Sequence, residues 1–383
     1  MKLFDRARML EATRLTRAGR LDEAISVLQG AFARTAAVGT DAPIPLRATD
    51  IADVLSGDDR QASLPAGALP GLSTTALGRT PLDWTVNLPG GGRQIEPAEI
   101  APGAGRYVSG TFSNTGGSRS YKLYIPSKHE EPRPLIVMLH GCKQSADDFA
   151  AGTRMNFAAE ARGCFVVYPE QPQAANASKC WNWFRPGDQT RDRGEPSLIA
   201  GITRQIMAEY EIDPARVYVA GLSAGGAAAA IMGEAYPDIF AAVGVHSGLA
   251  CGSAHDLASA FGAMRGQGPS PGQTRRAVKV MPTIVFHGDR DATVHPCNGT
   301  KIITRALAEA ELQSTTERGS TATGDTFSRF VQHDSEGRRI LALWELHGAG
   351  HAWSGGSSVG SFTDPSGPDA TQEMLSFFLE HRR

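Results

Sequence analysis

One serine between glycines, two carboxylates behind one strand and two histidines behind another are the residues best suited to covalent chemistry in this chain. Gly221-Leu222-Ser223-Ala224-Gly225 matches G-x-S-x-G. The Arg-Val-Tyr-Val run before it reads as a buried strand, and the Ala-rich run 227–236 after it reads as a helix. A serine on that sharp turn stands exposed at the sheet's edge, near the positive end of the helix dipole. Gly221 and Gly225 let strand and helix close up around it. A hydroxyl is a poor nucleophile until a base takes its proton, and the base needs a third group to fix its tautomer. Strand 283–287 runs into Gly288-Asp289-Arg290-Asp291, and the last strand into His347-Gly-Ala-Gly-His351-Ala-Trp353. Asp291, further into its loop, is the expected carboxylate, and Asp289 reads as a turn-former. His351, within a glycine-rich loop that can reach across, is the expected base, while His347 closes its strand and reads as structural. Charge developing on a substrate oxygen needs backbone donors. The Ala224 N–H is one candidate. Cys142 is the other, with Gly141 as its alternative, because His140-Gly141-Cys142 follows the apolar run 134–139.

The elements that must hold these residues are legible as continuous apolar strands at 134–139, 164–168, 216–220, 241–245 and 283–287. Helical stretches fall at 146–162, at 196–210 with a proline in its first turn, at 227–236, and at 372–381 behind an Asp369 cap. Hairpins are expected at 110–125 and 329–346. Such alternation predicts an α/β fold of the α/β-hydrolase type, a mainly parallel sheet with helices on both faces, with Ser, Asp and His in that chain order. The spacing predicts three segments. Residues 1–34 form an amphipathic helical appendage able to dock on the main domain or a second copy. Residues 35–105 are a low-complexity linker. Residues 106–383 are the catalytic domain.

The 383 residues carry 38 Lys and Arg against 40 Asp and Glu, a formal charge of −2. No overall field draws the chain to nucleic acid or anionic membrane. No apolar run reaches the ~18 residues of a membrane span. Residues 1–20 lack the apolar core of a signal peptide, so a cytoplasmic location is expected. The five cysteines show no C-x-x-C pair, and neither a metal cluster nor a dinucleotide or phosphate loop is visible, so no metal and no cofactor are expected. Cys164 reads as a buried strand thiol and the other four as loop residues. The long polar loop 171–196 carries Trp181, Trp183 and Phe184 at its centre, expected to form a substrate wall with Trp353, one tryptophan at least serving instead as a core plug.

Five blocks, Leu139-His-Gly-Cys-Lys-Gln144, Cys180-Trp-Asn-Trp-Phe184, Gly221-Leu-Ser-Ala-Gly-Gly226, His287-Gly-Asp-Arg-Asp291 and Gly350-His-Ala-Trp353, resemble the esterase family of poly(3-hydroxybutyrate) depolymerases. The resemblance covers roughly residues 106–383. It implies a serine esterase working through an acyl-enzyme, with Ser223, Asp291 and His351 as its triad and a disulfide between Cys142 and Cys180. It also places Gln144 beside the aromatic residues as a substrate-binding candidate. Implied substrates are poly(3-hydroxybutyrate)-type polyesters or short hydroxyalkanoate oligomers, with feruloyl or acetylxylan esters as the alternative and extracellular placement as the family's other location. The threonine-rich linker and C-terminal polymer-binding domain of secreted members are not expected in this chain. A reading from another class makes residues 1–34 a docking device for a polymer granule, a partner or a second copy.

Overall fold

The computed structural model describes residues 95–267, 280–307 and 312–383. The helical segment 1–34, with its docking role, and the linker as far as residue 94 lie outside the described residues.

Among the described residues ten strands, numbered in chain order, make one sheet in the order β1-β2-β4-β3-β5-β6-β7-β10-β9-β8. Its centre is six parallel strands: β4 (Phe165–Pro169), β3 (Arg133–Leu139), β5 (Ile212–Leu222), β6 (Ala242–His246), β7 (Thr283–Gly288) and β10 (Arg339–Leu346). Antiparallel strands extend both edges. They are β1 (Arg106–Asn114) and β2 (Gly117–Ile125) on one side, and β9 (Thr326–His333) and β8 (Gln313–Ser320) on the other. The central strands are apolar throughout because both faces are covered. Leu135, Val137 and Leu139 of β3 enter one core cluster, and Ile136 and Met138 enter the other. The described helices are α1 (Pro97–Ile100), α2 (Ala146–Thr153), α3 (Met155–Arg162), α4 (Gly194–Glu209), α5 (Ala224–Ala235), α6 (Leu257–Met264), α7 (Cys297–Ala306) and α8 (Ala370–Leu379). Two short strands, β11 (Trp353–Ser354) and β12 (Thr363–Asp364), pair beyond β10. This is the α/β-hydrolase arrangement.

The structure corrects several expected elements. The single helix 146–162 is two, because Arg154 adopts φ +55° and the Gly152 carbonyl accepts from Ser357 N–H (2.7 Å), outside the helix. Helix α4 begins at Gly194, so Pro196 is its third residue. Strand β4 starts one residue after Cys164. Strand β8 and helices α6 and α7 escaped the pattern. The β8 sequence, Gln-Ser-Thr-Thr-Glu-Arg-Gly-Ser, is polar and almost wholly exposed, so no alternation marks it. In α7, Asn298 and Gly299 are weak helix formers. Asp369 does cap α8, accepting from Gln372 N–H (2.9 Å).

Candidate active site

Ser223, the N-cap of α5, holds φ 57° and ψ −119°, a region costly for a residue with a Cβ. The strain is enforced by close packing. A Cβ on Gly225 would lie 2.0 Å from the Leu139 carbonyl oxygen, and one on Gly221 2.3 Å from that of Gly225. Only glycine fits at either place. The Ser223 N–H is fixed to the His246 carbonyl (2.9 Å).

Asp291 and His351 meet across the loops that follow β7 and β10, with Asp291 Oδ2 2.7 Å from His351 Nδ1. The other oxygen, Oδ1, accepts the N–H groups of Thr293 (2.9 Å) and Val294 (2.8 Å). The Asp291 side chain is fully buried. Burial alone would push its carboxyl up, but hydrogen bonds from His287 and His351 and the backbone donors hold it well below the usual carboxylate range. Ser223, Asp291 and His351 follow the carboxyl ends of the parallel strands β5, β7 and β10, where open α/β sheets bind ligands. Among the described residues no hydrogen bond joins Ser223 Oγ to His351, a contact often long until substrate arrives.

The other carboxylate and histidine are paired with each other. His347 Nδ1 lies 3.3 Å from Asp289 Oδ2, Gly348 N–H donates to Asp289 Oδ1 (2.7 Å), and His347 Nε2 lies 2.9 Å from Ser328 Oγ. This cluster pins the two loops together from the outside.

Two histidines carry functions that the sequence reading missed. His287, the penultimate residue of β7, lies beneath Asp291, with Nε2 2.8 Å from the Val294 carbonyl and 3.5 Å from Asp291 Oδ2. Its place in the His287-to-Asp291 block was the available signal. His246 offers its carbonyl to Ser223 and accepts the Ser354 N–H at Nε2 (3.0 Å), tying the serine turn to the loop after His351. Burial, then the neighbouring imidazoles, lower its pKa to about 3, so it stays neutral.

On the other side of the serine, Gly141 N–H donates to Gln144 Oε1 (2.9 Å), which removes Gly141 as a donor to substrate. Cys142 N–H has no partner among the described residues, and Ala224 N–H, at the first position of α5, lies ahead of the helical ladder. Cys142 and Cys180 are joined in a disulfide, with Cα atoms 4.2 Å apart. Cys164, Cys251 and Cys297 are free, and Cys297 opens α7 rather than sitting in a loop.

The expected substrate wall is mostly interior. Trp181 is fully buried and donates Nε1–H to the His140 carbonyl (3.1 Å). Trp353 is fully buried, stacks on His246 and donates to Thr371 Oγ1 (3.0 Å). Both are plugs beneath the site, because their indole N–H groups find fixed acceptors inside. Gln144 is also buried, its amide nitrogen donating to Asp148 Oδ2 (2.9 Å) and the Ser361 carbonyl (3.0 Å), so it braces its loop. Trp183 is 7% exposed and packs edge-on against the half-buried Phe184, so of the four expected wall aromatics these two are the less deeply buried. Among the described residues there is no metal-binding cluster, and no helix is long and apolar enough to cross a membrane.

The sheet order and the strained serine turn define an α/β-hydrolase. A solved acetyl xylan esterase from Aspergillus awamori shares this fold with a TM-score of 0.55 at 16% identity, over 71% of this chain and 99% of that one. Residues 119–328, more than half of the chain, match the esterase PHB depolymerase family, and the chain belongs to it. It is 31% identical over 257 residues to poly(3-hydroxyalkanoate) depolymerase C of Paucimonas lemoignei, covering 64% of this chain and 60% of that protein. It is 36% identical over 144 residues to feruloyl esterase B of Neurospora crassa, covering 37% and 48% respectively. The chain thus spans about half to three fifths of these two relatives.

Proposed function

We propose that the protein is a serine esterase that cleaves carboxylic esters through an acyl-enzyme, with residues 106–383 as its catalytic domain. The observation that carries this reading is the buried Asp291 held 2.7 Å from His351 Nδ1, one loop away from a serine in a strained turn. With Nδ1–H given to the carboxylate, the imidazole keeps Nε2 as its basic face. In this mechanism Ser223 Oγ gives its proton to His351 Nε2 and attacks the ester carbonyl. Asp291 stays ionised and stabilises the imidazolium. The N–H groups of Cys142 and Ala224 receive the oxyanion. His351 then protonates the departing alkoxide, and water, activated by the same imidazole, releases the acid.

For substrate we favour poly(3-hydroxybutyrate)-type polyesters or short hydroxyalkanoate oligomers, supported by family membership and by likeness to the P. lemoignei depolymerase. Feruloyl or acetylxylan esters are the second reading, supported by the likeness to feruloyl esterase B. The Cys142–Cys180 disulfide supports an oxidising compartment over the cytoplasmic location expected from residues 1–20. Parallel assays of the wild type and Ser223→Ala on p-nitrophenyl butyrate, methyl ferulate and 3-hydroxybutyrate oligomers separate these readings. Serine-dependent turnover highest on the oligomers supports the first, and highest on ferulate supports the second. Turnover that survives Ser223→Ala removes the mechanism.

A further inference from the structure

A carboxylate that the mechanism does not use lies deep behind the Cys142 loop. Glu195, in the first turn of α4, is 6% exposed, yet its two oxygens gather donors from three separate segments. Oε2 accepts the Asn182 backbone N–H (2.7 Å). Oε1 accepts Asn182 Nδ2 (2.6 Å) and Gln171 Nε2, and faces the Arg119 guanidinium at 3.5 Å. Burial, then the nearby Asp188, push the Glu195 carboxyl up to about 7, and the Asn182 and Gln171 donors with the Arg119 guanidinium of β2 oppose that shift. The Glu195 N–H is itself spent on Asp188 Oδ1 (2.8 Å).

Two of those donors lead to the serine. Gln171 Nε2 also donates to the Cys180 carbonyl (2.9 Å), and Cys180 is bonded through sulfur to Cys142. Gln171 N–H donates to His140 Nε2 (3.1 Å). Asn182 fixes the backbone beside Trp181, whose indole N–H holds the His140 carbonyl (3.1 Å). Both routes therefore end on His140-Gly141-Cys142. The Glu195 hub, the disulfide and the tryptophan plug converge on one tripeptide from three directions.

We infer that Glu195 is a positioning residue for ester hydrolysis, setting the Cys142 N–H at the oxyanion through Gln171 and Asn182. The inference rests on the mechanism proposed above. It assigns a purpose to an otherwise costly buried carboxylate, and it predicts a kinetic pattern that simple loss of stability does not give. A donor displaced by a fraction of an ångström weakens the transition state and leaves ground-state binding nearly unchanged.

The test uses the full chain, with p-nitrophenyl butyrate as substrate and a boronic acid as the tetrahedral mimic. Glu195→Gln keeps the volume but sets an amide NH2 against the donors that the carboxylate accepted. It is expected to lower kcat by roughly 10- to 100-fold, to leave KM within about threefold, and to weaken the boronic acid in step with kcat/KM. Should that variant not fold, Gln171→Leu cuts the link to the Cys180 carbonyl while leaving Asn182 and Arg119 on the carboxylate, and the same pattern is expected. The inference is overturned if a folded variant keeps wild-type kcat, or if KM rises while kcat and boronic acid affinity hold. Ser223→Ala in the same assay keeps the two claims apart. An active Ser223→Ala removes the mechanism, whereas an inactive one beside a fully active Glu195→Gln removes only the role of Glu195.

Discussion

Two lines of Ser, His and Asp run side by side at this sheet edge, and they use the same two loops. In one, Ser328 Oγ, His347 and Asp289 are already connected by contacts of 2.9 and 3.3 Å. In the other, only His351 and Asp291 are in contact, at 2.7 Å. Connectivity alone would select the first line. Backbone and burial select the second. Ser328 is a strand residue with its side chain turned inward, 5% exposed, whereas Ser223 sits at a forced positive φ ahead of a helix N-terminus. The Asp289 and His347 side chains are 43% and 38% exposed, so solvent screens their interaction. Asp291 is wholly buried and receives two backbone N–H groups, so its charge is fixed, with His351 at 2.7 Å and His287 at 3.5 Å from Oδ2. A row of hydrogen bonds makes a tie. A desolvated, pre-oriented row beside a strained nucleophile makes a catalyst.

The largest expected difference is kinetic. Asp291→Asn should leave the fold intact and lower kcat on p-nitrophenyl butyrate by about 10^4, since the amide supports the wrong tautomer. Asp289→Asn and Ser328→Ala should each stay within about threefold of wild type, as expected of residues outside the chemistry. A comparable loss in Asp289→Asn would erase the distinction between the lines.

Next in size is the serine turn. Gly225→Ala places a methyl against the Leu139 carbonyl and should cost about 1–3 kcal/mol or more by chemical denaturation, with activity lost through the displaced elbow. An unchanged midpoint would mean that the close approach is not enforced.

Acid should weaken the inner region. His140, His246 and His381 have pKa values lowered by burial to about 4, 3 and 4, whereas the unfolded chain takes up those protons near 6.5. Between these values the unfolded state binds more protons. The stability these three imidazoles contribute is therefore complete above about pH 6.5 and declines as pH falls toward 4, while Glu195, raised to about 7 by burial, works in the opposite direction. Asp291, depressed below its unfolded value of about 3.9, adds a further loss below that pH. A Tm series from pH 7.5 to 4 should fall steadily, and replacing His246 with Gln should flatten the slope if the variant folds. A Tm independent of pH across that range would contradict the buried neutral imidazoles.

The smallest effect belongs to the outer pair. Asp289→Ala should cost about 0–1 kcal/mol of stability, the usual worth of an exposed ion pair. A loss of several kcal/mol would make the pair a structural keystone.

How much of this was legible in the chain depends on what each feature rests on. The parallel order and the Ser223, Asp291 and His351 candidates were readable because strands buried on both faces are apolar throughout and because glycines mark the turns between them. The choice of Asp291 over Asp289 rested on loop position and on the family resemblance, whereas the burial that separates the two carboxylates exists only in three dimensions. Trp181 and Trp353 were misplaced because an indole plug and an indole wall have the same sequence. Polar β8 had no alternation to read. His246, His287 and Glu195 act through contacts with segments far along the chain, so local pattern could not reveal them.

Ser223, and not another serine of this edge, is the proposed nucleophile. Reaction of the intact protein with a fluorophosphonate, followed by digestion and mass spectrometry, tests it directly. A single adduct is expected on the peptide carrying Ser223, abolished in Ser223→Ala and slowed by orders of magnitude in Asp291→Asn. An adduct on Ser328, or labelling that persists in Ser223→Ala, would contradict it.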